Sequence, residues 1–585
     1  MTFLGKGLAR RAGALAAMLL ALHSMAQQDG DSSSVAAPQG PAGPQVHGNF
    51  SMDAQYYRQD SAIGAVVPDQ LMGINSWGNI QYTQGNFSAG VRFETYEPAL
   101  VGYPAGDPYK GTGIGYRYAS YHINDLDITV GNFFEQFGQG MVFRSYEERY
   151  LGVDNAMDGV RVKFKPHEGV YLKGVVGRQR LGFDDRYTNG VGIVRGFDAE
   201  VSITELFPEQ TSSWTEHGRN LILGGSFVSK FQEDRDPLRE LPENVGSWAG
   251  RANYISGRWN LYTEYAYKIN DPNASNDFIY KPGQALLVNA TYSTKGLGIS
   301  AGAHAFDNMV YQSDRAVQNL FNLNINFLPT LAKQHTYNLP ATLYPYATQP
   351  NGEVSYQGEV FYKFKKGTPL GGKYGTKVAV NWCGAWSLDS TALPNDTVSY
   401  LGYETTNFLR PGERQYFSDF NVEVRKKLSA NWELAFTYMN LVYDIEVVQG
   451  KAGEPTIYGD LFVLEGLHNF DDRNSLRFEI QHLRTHQDKG NWATGLAEFT
   501  FSPHWFVAVM DQFNYETFED TFSKGGEELE VKRFHYPIGS MGYIRGGNRF
   551  TVNYGRQRAG IFCVGGVCRQ VPASNGLTLS ITSTF

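Results

Sequence analysis

Leu577-Thr578-Leu579-Ser580-Ile581-Thr582-Ser583-Thr584-Phe585 ends the chain, and its alternation decides the fold. Leu577, Leu579, Ile581 and Phe585 share one face, while hydroxyl-bearing residues mostly take the other. The same two-residue period recurs in almost every segment after residue 47, for about ten positions at a time before a turn breaks it. Many strands with one apolar and one polar face fit a closed transmembrane β-barrel, lipid outside and water inside. A length of 585 residues suggests several domains, yet no compositional break divides the strand-rich part. The expectation is therefore all-β: a single large antiparallel barrel. At about 22–24 residues per strand and connection it holds about 24 strands, within a range of roughly 20–26.

Composition agrees. Hydrophobic residues make up 42% of the chain and the mean hydropathy is −0.36. Such values look soluble, but in a barrel only alternate residues meet lipid. After the N-terminal region no apolar run reaches the ~18–20 residues of a helical span. Tyr (36), Phe (37) and Gly (65) are abundant, as aromatic girdles and frequent turns require. The net charge of −8 argues against a nucleic-acid partner.

The first 26 residues read as a cleaved export signal: Lys6, Arg10 and Arg11, then the apolar Ala12 to Leu22, then Ser24-Met25-Ala26. Residues 27–46 read as a disordered Pro/Gly/Ser-rich linker, too short to be a plug domain, and 47–585 as the barrel. Gly85-Asn86 and Asn124-Asp125 are tight turns between strands. Paired strands are also read at Ala285 to Ser293 with Leu297 to Phe306, Tyr416 to Lys427 with Trp432 to Tyr443, and Trp492 to Phe501 with Trp505 to Tyr515. Asp53, Arg92, Glu94, Arg117, Asp127, Arg161, Lys163 and Lys165 form an inward polar set. The long connections are Leu181 to Asn189, Phe207 to His217, Gln232 to Glu243, Asn308 to Gly352 and Glu516 to Lys532, and long loops face outward in such barrels. Asn308 to Gly352 carries Leu320, Phe321, Leu323, Ile325 and Phe327, so it packs against something, as an inward lid or an extracellular subdomain.

The segment from Phe134 to Asp158 holds far more residues than a turn needs. A strand enters it and another leaves it, and Phe137, Met141 and Phe143 offer anchors to a wall. Folded inward, it makes a candidate pore constriction from Arg144, Glu147, Glu148, Arg149, Asp154, Asp158 and Arg161, with Arg144 and Arg149 opposed to carboxylates across the opening. The alternative is a self-satisfied, salt-bridged loop fixed to the wall.

The run GNFFEQFGQGMVFRSYEERYLGVDNAMDGVRV, from Gly131 to Val162, resembles an uncharacterised, domain-of-unknown-function family of Bacteroidota outer-membrane β-barrel proteins. The C-terminal RQRAGIFCVGGVCRQVPASNGLTLSITSTF resembles the same family, and the likeness covers most of the mature chain. It implies fold and location and no activity. A looser likeness to substrate-selective porins rests on a strand ending in Gly, an intervening loop, and the strand opened by Asp158 to Arg161.

Cys563-Val564-Gly565-Gly566-Val567-Cys568 can close a tight loop, so Cys563 and Cys568 are a candidate disulfide on the outer side, with Cys383 left over as a small apolar residue. His482 and His486 do not converge on a metal, because in a strand they stand ~13 Å apart. Gly296-Leu297-Gly298 is no phosphate loop, since no helix follows it. No cofactor or metal is expected, and no enzyme. Phe585 is the candidate assembly signal for the outer-membrane insertion machinery. The function expected is a porin-like channel in the cell outer membrane, with membrane lipid and small polar solutes as partners. The alternative is a plugged or scaffold barrel in a larger surface complex.

Overall fold

The computed structural model describes residues 43–104, 109–318, 321–394, 399–517, 533–564 and 567–585. Twenty-four antiparallel strands close into one transmembrane barrel. Closure joins the first strand, Gln45–Tyr57, to the last, Ser574–Thr584, with Met52 opposite Ile581 and Asp53 opposite Ser580. The Phe585 amide donates to the Gly48 carbonyl and the Gly48 amide to the Phe585 carbonyl, both at 2.9 Å. Closure leaves the main sheet without an edge, which is the condition for strands to lie in hydrocarbon. Among the described residues no helix is long and apolar enough to cross a membrane.

Alternation places the two faces as read. Phe50, Ile80, Val91, Val130, Phe436, Val509 and Leu577 point outward and are exposed. Trp259, Trp432 and Trp505 each open a strand at the rim that carries the termini, forming part of an aromatic girdle there. The five hairpins named above pair as expected, and Gly85 makes its two-residue turn at φ +56°.

Three expectations are corrected. Gln45 and Val46, read as linker, belong to the first strand and pair with Thr83 and Tyr82; residues 1–42, with the signal and most of the linker, lie outside the described residues. Phe207 to His217 is not an outer loop. It sits between Ile193–Ser202 and Arg219–Phe231, on the rim of the termini, and contains a short helix, Ser212–Glu216. The eleven-residue connection 365–375 lies on that rim too, because strand parity rather than length fixes the side. Of Glu516 to Lys532, residues 518–532 lie outside the described residues.

The third correction concerns the lumen. In its outer half many inward positions are apolar and buried by protein. Val175, Val194, Val228, Val245, Ala266 and Leu287 are buried against Phe137, Met141, Phe143, Met309, Ile325 and Leu328. On the opposite wall Met439, Leu441, Leu461, Val463 and Leu483 are buried against Tyr337, Leu339, Leu343, Tyr344 and Tyr346. These side chains meet protein rather than water because two chain segments fold into the barrel.

Candidate functional site

The first inner segment runs from Phe134 to Ala156, between the strands Leu126–Phe133 and Met157–His167, which themselves pair edge to edge. It folds back on itself through two short ladders, Glu135 opposite Ser145 and Glu147 opposite Asp154. Phe137, Met141, Val142 and Phe143 anchor it in the first dry core. Gly138, at φ +52°, lies so close to the Glu264 carboxylate that a Cβ there would stand 2.6 Å from an oxygen, so a larger residue would have to displace that carboxylate. That carboxylate accepts the Gln139 amide at 2.8 Å.

Charge latches the same segment to the wall. Arg92 and Glu94 alternate inward on Phe87–Tyr96, and Arg180 points inward from Val170–Asp184. Arg180 is fully buried and donates to both Glu94 oxygens, at 2.9 and 2.7 Å, and to Asp154 Oδ2 at 2.8 Å. Arg92 donates to Glu94 at 2.6 Å, to Glu147 at 2.9 Å, and to Asp154. Arg149 donates to Glu147 at 2.7 Å and lies over the Trp77 ring. Three cations thus face three carboxylates. Buried charges are tolerable only when balanced and hydrogen-bonded in this way. The neighbouring guanidiniums hold the Glu147 carboxyl below its usual range against the opposing effect of burial.

The sequence-picked residues divide. Glu147, Arg149 and Asp154 come together in the latch. Glu148 is buried, accepts from the Tyr150 amide, and is pushed up to about 7 by burial. Arg144 meets no carboxylate across an opening: its guanidinium lies over the Phe327 and Tyr146 rings, 4.1 and 4.5 Å from their centroids. Asp158 stands apart, accepting from Tyr187 at 2.8 Å and Asn189 at 3.0 Å, with Arg117 at 3.4 Å. Arg161 donates to the Phe134 carbonyl at 3.1 Å, with Asp127 and Glu135 at 3.5 and 3.7 Å. Lys163 and Lys173 reach Glu135 at 3.2 and 3.0 Å. Leu181 to Asn189, expected as loop, continues the strand as far as Asp184; Arg180 escapes sequence reading because its partners Glu94 and Asp154 lie 86 and 26 positions away. Arg92 and Glu94 were read as wall charges, without their partners.

The second inner segment, 308–351, crosses the lumen. Its first part pairs with the first segment: the Arg144 amide donates to the Ile325 carbonyl at 2.8 Å, and the Phe327 amide to the Gly140 carbonyl at 2.9 Å. Lys230, paired with Asp271 at 2.6 Å, donates to the Gln312 carbonyl at 2.7 Å. Its second part is held by the far wall. His335 and Lys333 reach Asp419 and Asn421 at 2.5 and 3.1 Å, and the Leu339 amide donates to Gln481 at 3.0 Å. The short helix Asn338–Leu343 is bound by Arg558 and Gln512, which donate to Asn338 Oδ1 at 3.1 and 2.8 Å. Burial lowers the Arg558 guanidinium to about 10, and among the described residues no carboxylate pairs with it. Of the two readings for 308–352, the inward one is what forms.

On the side of the termini the lumen wall is charged. Arg425 lies 3.3 to 3.6 Å from Glu465, Glu423 and Glu433, and Arg477 reaches Glu465 at 3.6 Å. The interior is therefore a charged vestibule on one side and a bridged, packed region on the other.

Cys563 and Cys568 oppose each other in the hairpin of Gly560–Val564 and Val567–Val571, on the rim away from Phe585. Cys383 is buried and free. His482 lies on a strand and meets the Tyr515 hydroxyl at 2.8 Å, and among the described residues no His, Cys, Asp and Glu group fit for a metal occurs.

Among solved structures the chain is similar to the siderophore receptor PirA of Pseudomonas aeruginosa, at 10% identity over 94% of this chain and 81% of that one, with a TM-score of 0.36. It is similar to the translocation pore of the P pilus usher PapC, at 8% identity over 92% and 99%, TM-score 0.36. It is also similar to OccD3 (OpdP) of Pseudomonas aeruginosa, at 12% identity over 79% and 93%, TM-score 0.36. Likenesses this distant carry no argument about function. No curated protein matches the sequence. The sequence does match a family along the inner segments as well as the wall: over residues 12–585 the chain belongs to the family of unknown function DUF6029.

Proposed function

We propose that this barrel is a porin-like channel of the cell outer membrane for small polar solutes, reached through a cleaved export signal and narrowed by its two inner segments. The observation that carries this reading is the arrangement of the lumen. A vestibule lined by Arg425, Arg477, Glu423 and Glu465 leads to a level where 134–156 and 308–351 pack against the two walls and narrow the lumen. Charged lumen walls hold water and tune what passes. In this reading part of the set picked in sequence narrows the passage, with Arg144 supplying positive potential beside Glu148 and Arg149 balanced by Glu147.

A second reading is favoured by one observation. The bridge is held by dry cores on both walls, which suits a barrel plugged at rest that serves as a scaffold in a larger surface complex. Single-channel recording in a planar bilayer separates the two. The channel reading expects discrete steps from the unaltered protein, and a reversal potential moved toward cations by Arg144→Ala. Silence from the unaltered protein, with steps after removal of 310–348, assigns the scaffold reading. Steps whose selectivity ignores Arg144→Ala overturn the constriction.

A further inference from the structure

Between the two inner segments and the wall lies a cavity of about 300 Å³ that neither reading uses. The first segment contributes Tyr150, at the tip of the ladder that pairs Glu147 with Asp154. The second contributes Asn338 and Thr342, from its short helix. The wall contributes Met510 and Ile538, register partners on Trp505–Glu516 and Phe534–Arg545. Ile561 and Val571, of the hairpin at the rim away from the termini, add two more apolar side chains. Tyr150 is 47% exposed and Gln557, also at the cavity, is exposed, so lumen water reaches it. A small-molecule site has this make-up, apolar walls with a few placed polar groups.

Arg558 supplies the decisive polar group. It is 6% exposed, and the acceptors around it are neutral. Nε donates to Gln512 Oε1 at 2.6 Å, and Nη2 to Asn338 Oδ1 at 3.1 Å and to the Thr342 hydroxyl. Nη1 donates to the Ala559 carbonyl at 3.2 Å, and its second N–H has no partner among the described residues. Gly560 leaves that nitrogen uncovered, since a Cβ there would stand 3.3 Å from Nη1. Among the described residues no aspartate or glutamate lines the cavity, and its other arginine, Arg556, is matched by Asp60 at 2.7 Å. One positive charge is left uncompensated, and with the guanidinium at about 10 it persists at neutral pH. A buried charge held by neutral oxygens alone is costly, and a counter-ion relieves that cost.

We propose that this cavity binds a small organic monocarboxylate, with the carboxylate on Nη1 of Arg558 and an apolar body between Met510, Ile538, Ile561 and Val571. A hydrogen bond between a guanidinium and a carboxylate is roughly twice as strong as one between neutral groups. A phosphate dianion would bring a second charge with no second cation to meet it. A bare anion such as acetate would leave the apolar walls unfilled. The site rests on the cavity and its charge rather than on conduction, and in the channel reading such a solute pauses here.

Equilibrium dialysis of the full chain in a non-ionic detergent, against protein-free micelles, tests the site with phenylacetate as the probe. The expected result is one phenylacetate per barrel, with phenylacetamide, acetate and phenyl phosphate each at least tenfold weaker. Arg558→Gln should bind phenylacetate no better than phenylacetamide. That change also loosens the helix at 338–343, so Ile538→Trp serves as a second variant. It fills the cavity, touches none of the Arg558 hydrogen bonds, and should abolish binding, while the folded, heat-resistant band on gels stays unchanged. No saturable binding by the unaltered barrel, or unchanged binding by Ile538→Trp, overturns the site. Equal binding of phenylacetamide or phenyl phosphate overturns the monocarboxylate, and equal binding of acetate overturns the apolar body.

Discussion

Asp154→Asn is the sharpest probe of how the first inner segment is held. The change keeps the shape of the side chain and removes one negative charge from a cluster of three carboxylates and three guanidiniums. Two of those, on Arg92 and Arg180, donate to Asp154 and are almost fully buried. Both arginines belong to wall strands, so the loss is felt between wall and segment rather than within either. Breaking a buried pair by removing one partner costs about 3–5 kcal/mol, because the charge left behind stays desolvated. At about 1.4 kcal/mol per tenfold, the seating equilibrium shifts by roughly a hundred- to several-thousand-fold. Amide hydrogen exchange reads this directly. The Leu151 and Asn155 amides, bonded to the Glu148 and Tyr146 carbonyls, should exchange faster by that factor, while strand amides such as that of Val130 hold. Arg144→Ala is the control: a cation–π contact is worth about 0.5–2 kcal/mol, so its effect stays within roughly thirtyfold. An Asp154→Asn effect no larger than that of Arg144→Ala would refute the latch.

The other expectations concern pH, redox state and assembly. Burial raises the Glu148 carboxyl to about 7, so the folded segment favours its neutral form. The contribution is complete below the ordinary glutamate range near 4.3 and is lost as pH rises through about 7. Exchange in 147–156 should therefore quicken across that window and level off above it, and Glu148→Gln should flatten the profile; an unchanged slope in the variant counts against the assignment. Cys563 and Cys568 are proposed to be bonded, so thiol alkylation of the unreduced, denatured protein should add one label, at Cys383, and three after reduction; three labels before reduction exclude the bond. Deleting Phe585, whose backbone closes the ladder with Gly48 and whose ring is 72% exposed, should cut the yield of assembled barrel severalfold in cells. Normal yield would remove its role as an assembly signal.

The wall was legible because period-two alternation is a local property. Leu577, Leu579 and Ile581 could be assigned to lipid without knowing any partner, and each tight turn, such as Gly85-Asn86, fixed a register. Side was less legible, since it depends on counting every strand before a given loop, and 203–218 was misplaced for that reason. The candidate site was half legible. Charge density marked Glu147, Arg149 and Asp154, but the latch also needs Arg92 and Arg180, which lie 62 and 26 positions from Asp154. No local pattern reports pairing at such separations. Arg144 was misread for a related reason: an aromatic ring 183 positions away, that of Phe327, took the place of the expected carboxylate.

A signal of the plug was nevertheless present in the wall. A strand between lipid and water alternates, whereas a strand between lipid and a packed interior has no reason to, and becomes apolar on both faces. Ala285-Leu286-Leu287-Val288 is such a run: Leu286 and Val288 face outward, while Ala285 and Leu287 are buried against the first inner segment and the bridge. Leu461-Phe462-Val463-Leu464 repeats the pattern on the far wall, where Leu461 and Val463 meet the second core. The Tyr416–Lys427 part of the strand next but one, by contrast, resumes alternation at Val422-Glu423-Val424-Arg425, beside the charged vestibule. The points at which alternation fails thus mark the height and the walls at which the interior is filled. Because both walls carry such runs, the filling spans the lumen rather than coating one side, and any solute that crosses must pass the segments the latch holds.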